Sequence, residues 1–169
     1  MCNRMTSDSV LPVTTSVTLT ALLFQIAACA ASTPPVKIPQ AETHVSAGTA
    51  AFSAGDLDRA EAEFHVALEY DSEMAEALNG LGLVAFARKD FELARQRFQE
   101  ALIKKDEFAE GHANLGAVEL ELKHADLALP HLRAALDIDP GFVPARQNLA
   151  EALRQVGRMV EAREELMKL

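Results

Sequence analysis

Tryptophan is absent, tyrosine occurs once, and cysteine occurs only at Cys2 and Cys29. Both cysteines precede the regular part of the chain, which excludes a disulfide framework for the folded portion. There is no run of Lys or Arg, and the net charge of -9 repels phosphate backbones, which argues against nucleic acid as a partner. A Gly-rich phosphate loop, a His-Glu pair at metalloprotease spacing and a nucleophile with a locally placed base are all missing. The sequence therefore carries no enzymatic signature and calls for no cofactor and no metal. With few aromatics, the apolar 49% is mostly alanine and leucine. Charged residues alternate with them at helical spacing, the mark of an all-α chain.

Charge is also missing from Ser9 through Val36, and Arg4 offsets Asp8 ahead of that stretch. The densest apolar part, Ala21 to Ala31, contains Ile26-Ala27-Ala28-Cys29. This resembles the lipobox of bacterial lipoproteins, with residues 1–28 as signal peptide and 29–40 as a tether containing Pro34, Pro35 and Pro39. The resemblance implies diacylglycerol on the Cys29 sulfur, cleavage after Ala28 and a membrane anchor built from several acyl chains. Ala30 stands where an Asp would resemble an inner-membrane retention signal, so a lipid-anchored, periplasm-facing protein of the outer membrane is the favoured expectation. An uncleaved anchor, ordinary secretion and an apolar leader without function are the alternatives.

Beyond residue 40 a period of 34 residues governs the chain. Gly48, Gly82 and Gly116 repeat at it, as do Ala60, Ala94, Ala128 and Ala162, and Phe64, Phe98, Leu132 and Leu166. A fixed period of this size means stacked supersecondary units that complete one another's core. The units are 41–74, 75–108, 109–142 and a shorter 143–169. Each is expected to be two antiparallel helices, the first near 41–54, 75–88, 109–122 and 143–156, the second near 57–70, 91–104, 125–138 and 159–169. Gly55 and Gly157 suit the left-handed position after a helix, with Lys89 and Lys123 replacing glycine at two such turns. Asp56 and Asp90 suit the following N-cap, and Pro140 follows a helix end. Pro130 is placed near the start of its helix, where a missing amide costs little.

Leu81-Gly82, Leu115-Gly116, the periodic alanines, Ala67, Ala101 and Ala135, and Pro140 closely resemble the tetratricopeptide repeat. Small residues would let two helices approach closely, and the large ones would fill the space between units. The resemblance implies an α-solenoid, a right-handed superhelix whose first helices line a concave groove. Carried onto this chain, the groove holds Val45, Thr49 and Phe52, then Asn79, Leu83 and Phe86, then Ala113, Asn114, Ala117 and Leu120, then Gln147, Asn148, Glu151 and Arg154, with Glu76 and Glu110 continuing an acidic rim from Glu42. An extended peptide or protein segment with apolar and basic side chains would suit it, ordinary solvated helix faces being the bland alternative. Chaperone-binding members clamp a terminal carboxylate with Lys, Asn, Asn, Lys and Arg at positions that here hold Val45, Thr49, Gly80, Glu110 and Asn114, so that cationic grip is absent.

Met159, Val160, Leu166 and Met167 are expected to leave apolar surface at the carboxyl-terminal edge, available for self-association or a partner subunit. The histidines read as surface or packing residues. His44 and His112 occupy equivalent positions two units apart, and His124 and His131 stand two turns apart along one helix. The functional expectation is a non-enzymatic scaffold, a membrane-anchored lipoprotein of the cell envelope that docks partner proteins. The alternative is an accessory or regulatory subunit of an envelope enzyme or assembly machine, such as those of pilus, secretion, outer-membrane or cell-wall biogenesis.

Overall fold

The structure, a computed structural model, describes residues 39–169. Cys29, the lipobox and the tether up to residue 38 lie outside the described residues. Eight helices follow in order among the described residues: α1 (Pro39–Ser53), α2 (Leu57–Tyr70), α3 (Ala75–Ala87), α4 (Phe91–Lys104), α5 (Ala109–Glu121), α6 (Ala125–Ile138), α7 (Val143–Gln155) and α8 (Met159–Leu166). The described residues contain no strand, and no helix long and apolar enough to cross a membrane.

Local chemistry sets the helix ends. Proline is preorganised for a first helical position, and α1 begins at Pro39, two residues earlier than the period alone suggests. Asp56 and Asp90 accept from the backbone amides of Arg59 and Leu93 at 3.1 and 3.2 Å, so both act as N-caps. Gly55 and Gly157 adopt φ of 81°, while Lys89 and Lys123 take the same left-handed turn at 64° and 67°. α8 ends at Leu166 because the amide of Lys168 turns to the carbonyl of Glu165 at 3.2 Å, a tighter bond that closes the last turn.

Pro130 corrects an expectation. It is the sixth residue of α6, past the first turn, and its missing amide would have served the carbonyl of Asp126. Both residues are exposed, so water reaches that carbonyl and the helix continues.

Helices pair as α1–α2, α3–α4, α5–α6 and α7–α8, and each second helix also packs on the next first helix. First helices touch one another in sequence, α1 on α3, α3 on α5 and α5 on α7. The result is an all-α solenoid. Ala60, Ala94 and Ala128 are 0% exposed, as are Ala67, Ala101 and Ala135, which is why the repeat tolerates only small side chains there. The large periodic residues sit on the periodic glycines of their own unit. A Cβ on Gly48 would stand 2.7 Å from Phe64, one on Gly82 2.5 Å from Phe98, and one on Gly116 2.5 Å from Leu132. Phe98 also meets Leu115 and Val118 of the next first helix, so it cements both the pair and the stack. Burying each such side chain stabilises the fold by roughly 1.5–3 kcal/mol. Leu166, the fourth of the series, is 52% exposed, because among the described residues no further first helix packs against α8.

Candidate functional site

The row of first helices carries a hollow of about 280 Å³. Val45, Thr49 and Phe52 come from α1, Glu76, Asn79, Gly80 and Leu83 from α3, Phe108 from the cap position just before α5 and Glu110 from its first turn. Under the hollow lies the ring of Phe64, reached from α2 and only 2% exposed. A Cβ on Gly80 would collide with that ring, so glycine is what lets α3 pack directly on it. A second hollow, about 580 Å³, adjoins it by sharing Val45 and Glu76 and runs past Ala41, Met74 and Ala75 to Lys104 and Lys105.

Charge around the two hollows is unbalanced. Among the described residues that line them, Glu42, Asp71, Glu73, Glu76 and Glu110 outnumber Lys104 and Lys105. Lys105 bonds Glu76 at 2.8 Å and lies 4.9 Å from the centroid of the Phe108 ring, and Lys104 bonds Glu73 at 3.0 Å. Glu76 is therefore part of an ion pair and not a bare rim carboxylate, whereas Glu110 stands exposed.

The structure brings Val45, Thr49, Phe52, Glu76, Asn79, Leu83 and Glu110 together in the smaller hollow and distributes the other expected groove residues differently. Asn114 donates from Nδ2 to Oδ1 of Asn79 at 3.0 Å, so these two amides tie α3 to α5. Asn79 is only 8% exposed, which leaves it more a strut than a reader of ligand. Ala117 and Asn148 are partly exposed farther along the stack. Phe86 leans edge-on against Phe91 with ring centroids 5.5 Å apart, at the turn between α3 and α4.

Leu120 is a correction. It lies in a core cluster with Leu129, Leu149 and Leu153 and is 7% exposed, so it does not pave the groove. A leucine at the end of a first helix gains more by sliding under the next pair than by facing water.

Phe64, Gly80 and Phe108 line the hollow but do not figure among the expected groove residues. Gly80 left a signal in the sequence: its counterparts at the 34-residue spacing are Ser46, Asn114 and Asn148, and one unit alone has glycine there.

Ionisable groups near the stack's far end are tuned by pairing. Burial raises the carboxyl of Glu165, but bonds and charge from Lys168 and Arg146 outweigh it and leave the group below its ordinary value. Glu151, bonded by Arg154 and Gln155, is lowered to about 2. His131 is held below its ordinary value by burial and then by His112, with Glu119 opposing.

Stacked helix pairs with a lined trough along their first helices define an α-solenoid interaction scaffold. Profiles of the tetratricopeptide repeat match residues 45–110 and 90–141, and a second profile of that name matches 119–169. The chain belongs to the tetratricopeptide repeat family. Among solved structures, MamA is 23% identical with a TM-score of 0.67, the match covering 86% of this chain and 81% of that one. YrrB, described as a tetratricopeptide repeat protein with an unusual peptide-binding site, is 30% identical with a TM-score of 0.63 over 72% of this chain and 63% of its own. The first repeat domain of Spaghetti (RPAP3), bound to an HSP90 peptide, is 17% identical with a TM-score of 0.66, over 70% of this chain and 94% of its own. No curated protein matches the sequence.

Proposed function

We propose that this chain is a non-enzymatic adaptor that holds an extended segment of a partner protein along its first helices. The observation that carries the reading is the hollow that α1 and α3 share, an apolar socket lined by Val45, Phe52, Leu83 and Phe108 beside the carboxylates of Glu76 and Glu110. An apolar side chain would seat in the socket and release water from both surfaces. A neighbouring Lys or Arg would face Glu110 and the surplus of carboxylates, which sets polarity and speeds encounter. The likeness to YrrB supports peptide binding as the mode.

The same proposal places the scaffold in a bacterial cell envelope, anchored through acyl chains on Cys29 and facing the periplasm, with the outer membrane favoured. Ile26-Ala27-Ala28-Cys29 and the uncharged stretch around it support this part.

Two experiments test the two halves separately. Selection of a random peptide library on the immobilised chain should enrich an apolar residue next to a basic one, and Leu83→Asp should abolish the enrichment while Asn148→Ala leaves it. A library that enriches nothing, or enriches acidic peptides, overturns the groove reading. Fractionation of cells expressing the wild type and Cys29→Ser should move the variant from membrane to soluble fraction, and identical distribution rejects lipid anchoring.

A further inference from the structure

One register joins the two helices of a pair through side chains 19 residues apart. In the first pair His44 bonds Glu63 at 2.8 Å, and in the fourth Arg146 bonds Glu165 at 2.9 Å, each a nitrogen facing a carboxylate. The second pair has Leu78 and Arg97 there, with Arg97 turned to Glu100 at 2.8 Å. The third pair departs from the pattern by opposing two bases. His112 and His131 face each other with Nδ1 atoms 3.3 Å apart, ring centroids 5.6 Å apart and planes only 25° from parallel. Each Nδ1 is thus on the side of its ring turned toward the other.

The tautomers follow from a neighbour. His112 Nε2 is 3.1 Å from the backbone oxygen of Asp106. A carbonyl only accepts, so Nε2 carries the proton and the neutral ring turns a bare Nδ1 lone pair toward His131. Donation of the second ring nitrogen to a backbone carbonyl is how metal-ligating histidines are commonly oriented.

We propose that His112 and His131 form a two-imidazole site for a zinc-type transition-metal ion, bound through both Nδ1 atoms. Two bonds of about 2.0–2.1 Å meeting at the tetrahedral angle place their nitrogens about 3.3 Å apart, which is the separation in this pair. On binding, both rings tilt toward a common point, and the proton His131 holds between the rings moves to its own Nε2, so the neutral pair releases no net proton. Among the described residues no third His, Cys, Asp or Glu joins them. The chain supplies two ligands and water the others, with room in an open hollow of about 410 Å³ that both histidines line together with Gln99 and Ile103. A site so open exchanges its ion readily and accepts a partner's side chain in place of water, which makes it a metal-dependent bridge separate from the hollow lined by Phe52, Leu83 and Phe108.

The test is titration of the full chain with zinc chloride, without a polyhistidine tag and with Cys2 and Cys29 replaced by Ser because thiolates bind zinc. Calorimetry should show one ion per chain, and the Nδ1 resonances of His112 and His131 should shift together. His112→Gln and His131→Gln should each weaken binding more than about tenfold, and His65→Gln should not. Should either Gln variant lose helicity, a zinc-dependent rise in wild-type melting temperature with coincident shifts of the two rings still supports the site. Absence of saturable uptake, or uptake unchanged by both Gln variants, means that the pair shares only a proton and overturns the proposal.

Discussion

Arg146 on α7 donates to Glu165 on α8 across 2.9 Å, in the same register that sets His44 against Glu63 in the first pair, and both side chains are mostly screened from water at 14% and 17% exposure. Arg146 also donates to the backbone oxygen of Pro140, so one guanidinium holds the last helix and the preceding turn together. Arg146→Met should lower stability by about 1.5–3 kcal/mol, the scale of a hydrogen bond to a charged group, in a urea unfolding curve.

The same pair sets an acid response. Glu165 is lowered in the folded chain, so its contribution is fully present above the ordinary carboxylate value of 4.5 and fades as pH falls through the depressed folded value. Melting temperature should drop below pH 4.5 in the wild type, with a shallower drop in Glu165→Gln. Equal slopes in the two proteins would refute the assignment.

Glycines of this chain separate close approach from backbone shape. Gly82→Ala drives a methyl to 2.5 Å from the Phe98 ring and should cost about 1–3 kcal/mol as overpacking. Gly55→Ala meets nothing within 4 Å but retains a φ of 81°, so it should cost about 1–2 kcal/mol through backbone strain alone. Pairing either variant with Phe98→Leu distinguishes them, since the smaller side chain relieves Gly82→Ala and leaves Gly55→Ala unchanged.

Lys89 and Lys123 hold left-handed turns at φ of 64° and 67°. Replacement of either by Gly removes the Cβ clash against a larger loss of unfolded-chain entropy. A net gain of roughly 0.5–1 kcal/mol is expected, read as a higher melting temperature in each single variant and an additive rise in the double.

The amide pair between α3 and α5 predicts a stability effect where the groove pattern alone suggests only a binding one. Asn114→Ala leaves the nearly buried Oδ1 of Asn79 without the donor it has now and should cost about 1–3 kcal/mol. Asn148→Ala should leave the melting curve unchanged. Thermal melts of the two variants decide the point without any ligand.

Helix spans were legible because their signals are local. The second helices of the first three units fall at the expected residues, Asp56 and Asp90 cap where a short acidic side chain can reach the amide three residues on, and the left-handed turns fall on Gly55, Lys89, Lys123 and Gly157. The tolerance of Pro130 was credited to the wrong cause because it comes from an exposed face, and exposure depends on which side of α6 meets its neighbours.

The 34-residue recurrence of glycine, alanine and a large apolar residue determined by itself that helices would pair and stack, since each small position admits only a close neighbour and each large one needs a gap to fill. Tertiary structure alone decided which polar groups serve one another. Asn114 reaches Asn79, Lys105 reaches Glu76 and His112 meets His131 because packing sets the rotation of each helix about its axis, a few tens of degrees that periodicity leaves open. That rotation also drew Leu120 into the core and set the Phe64 ring against Gly80.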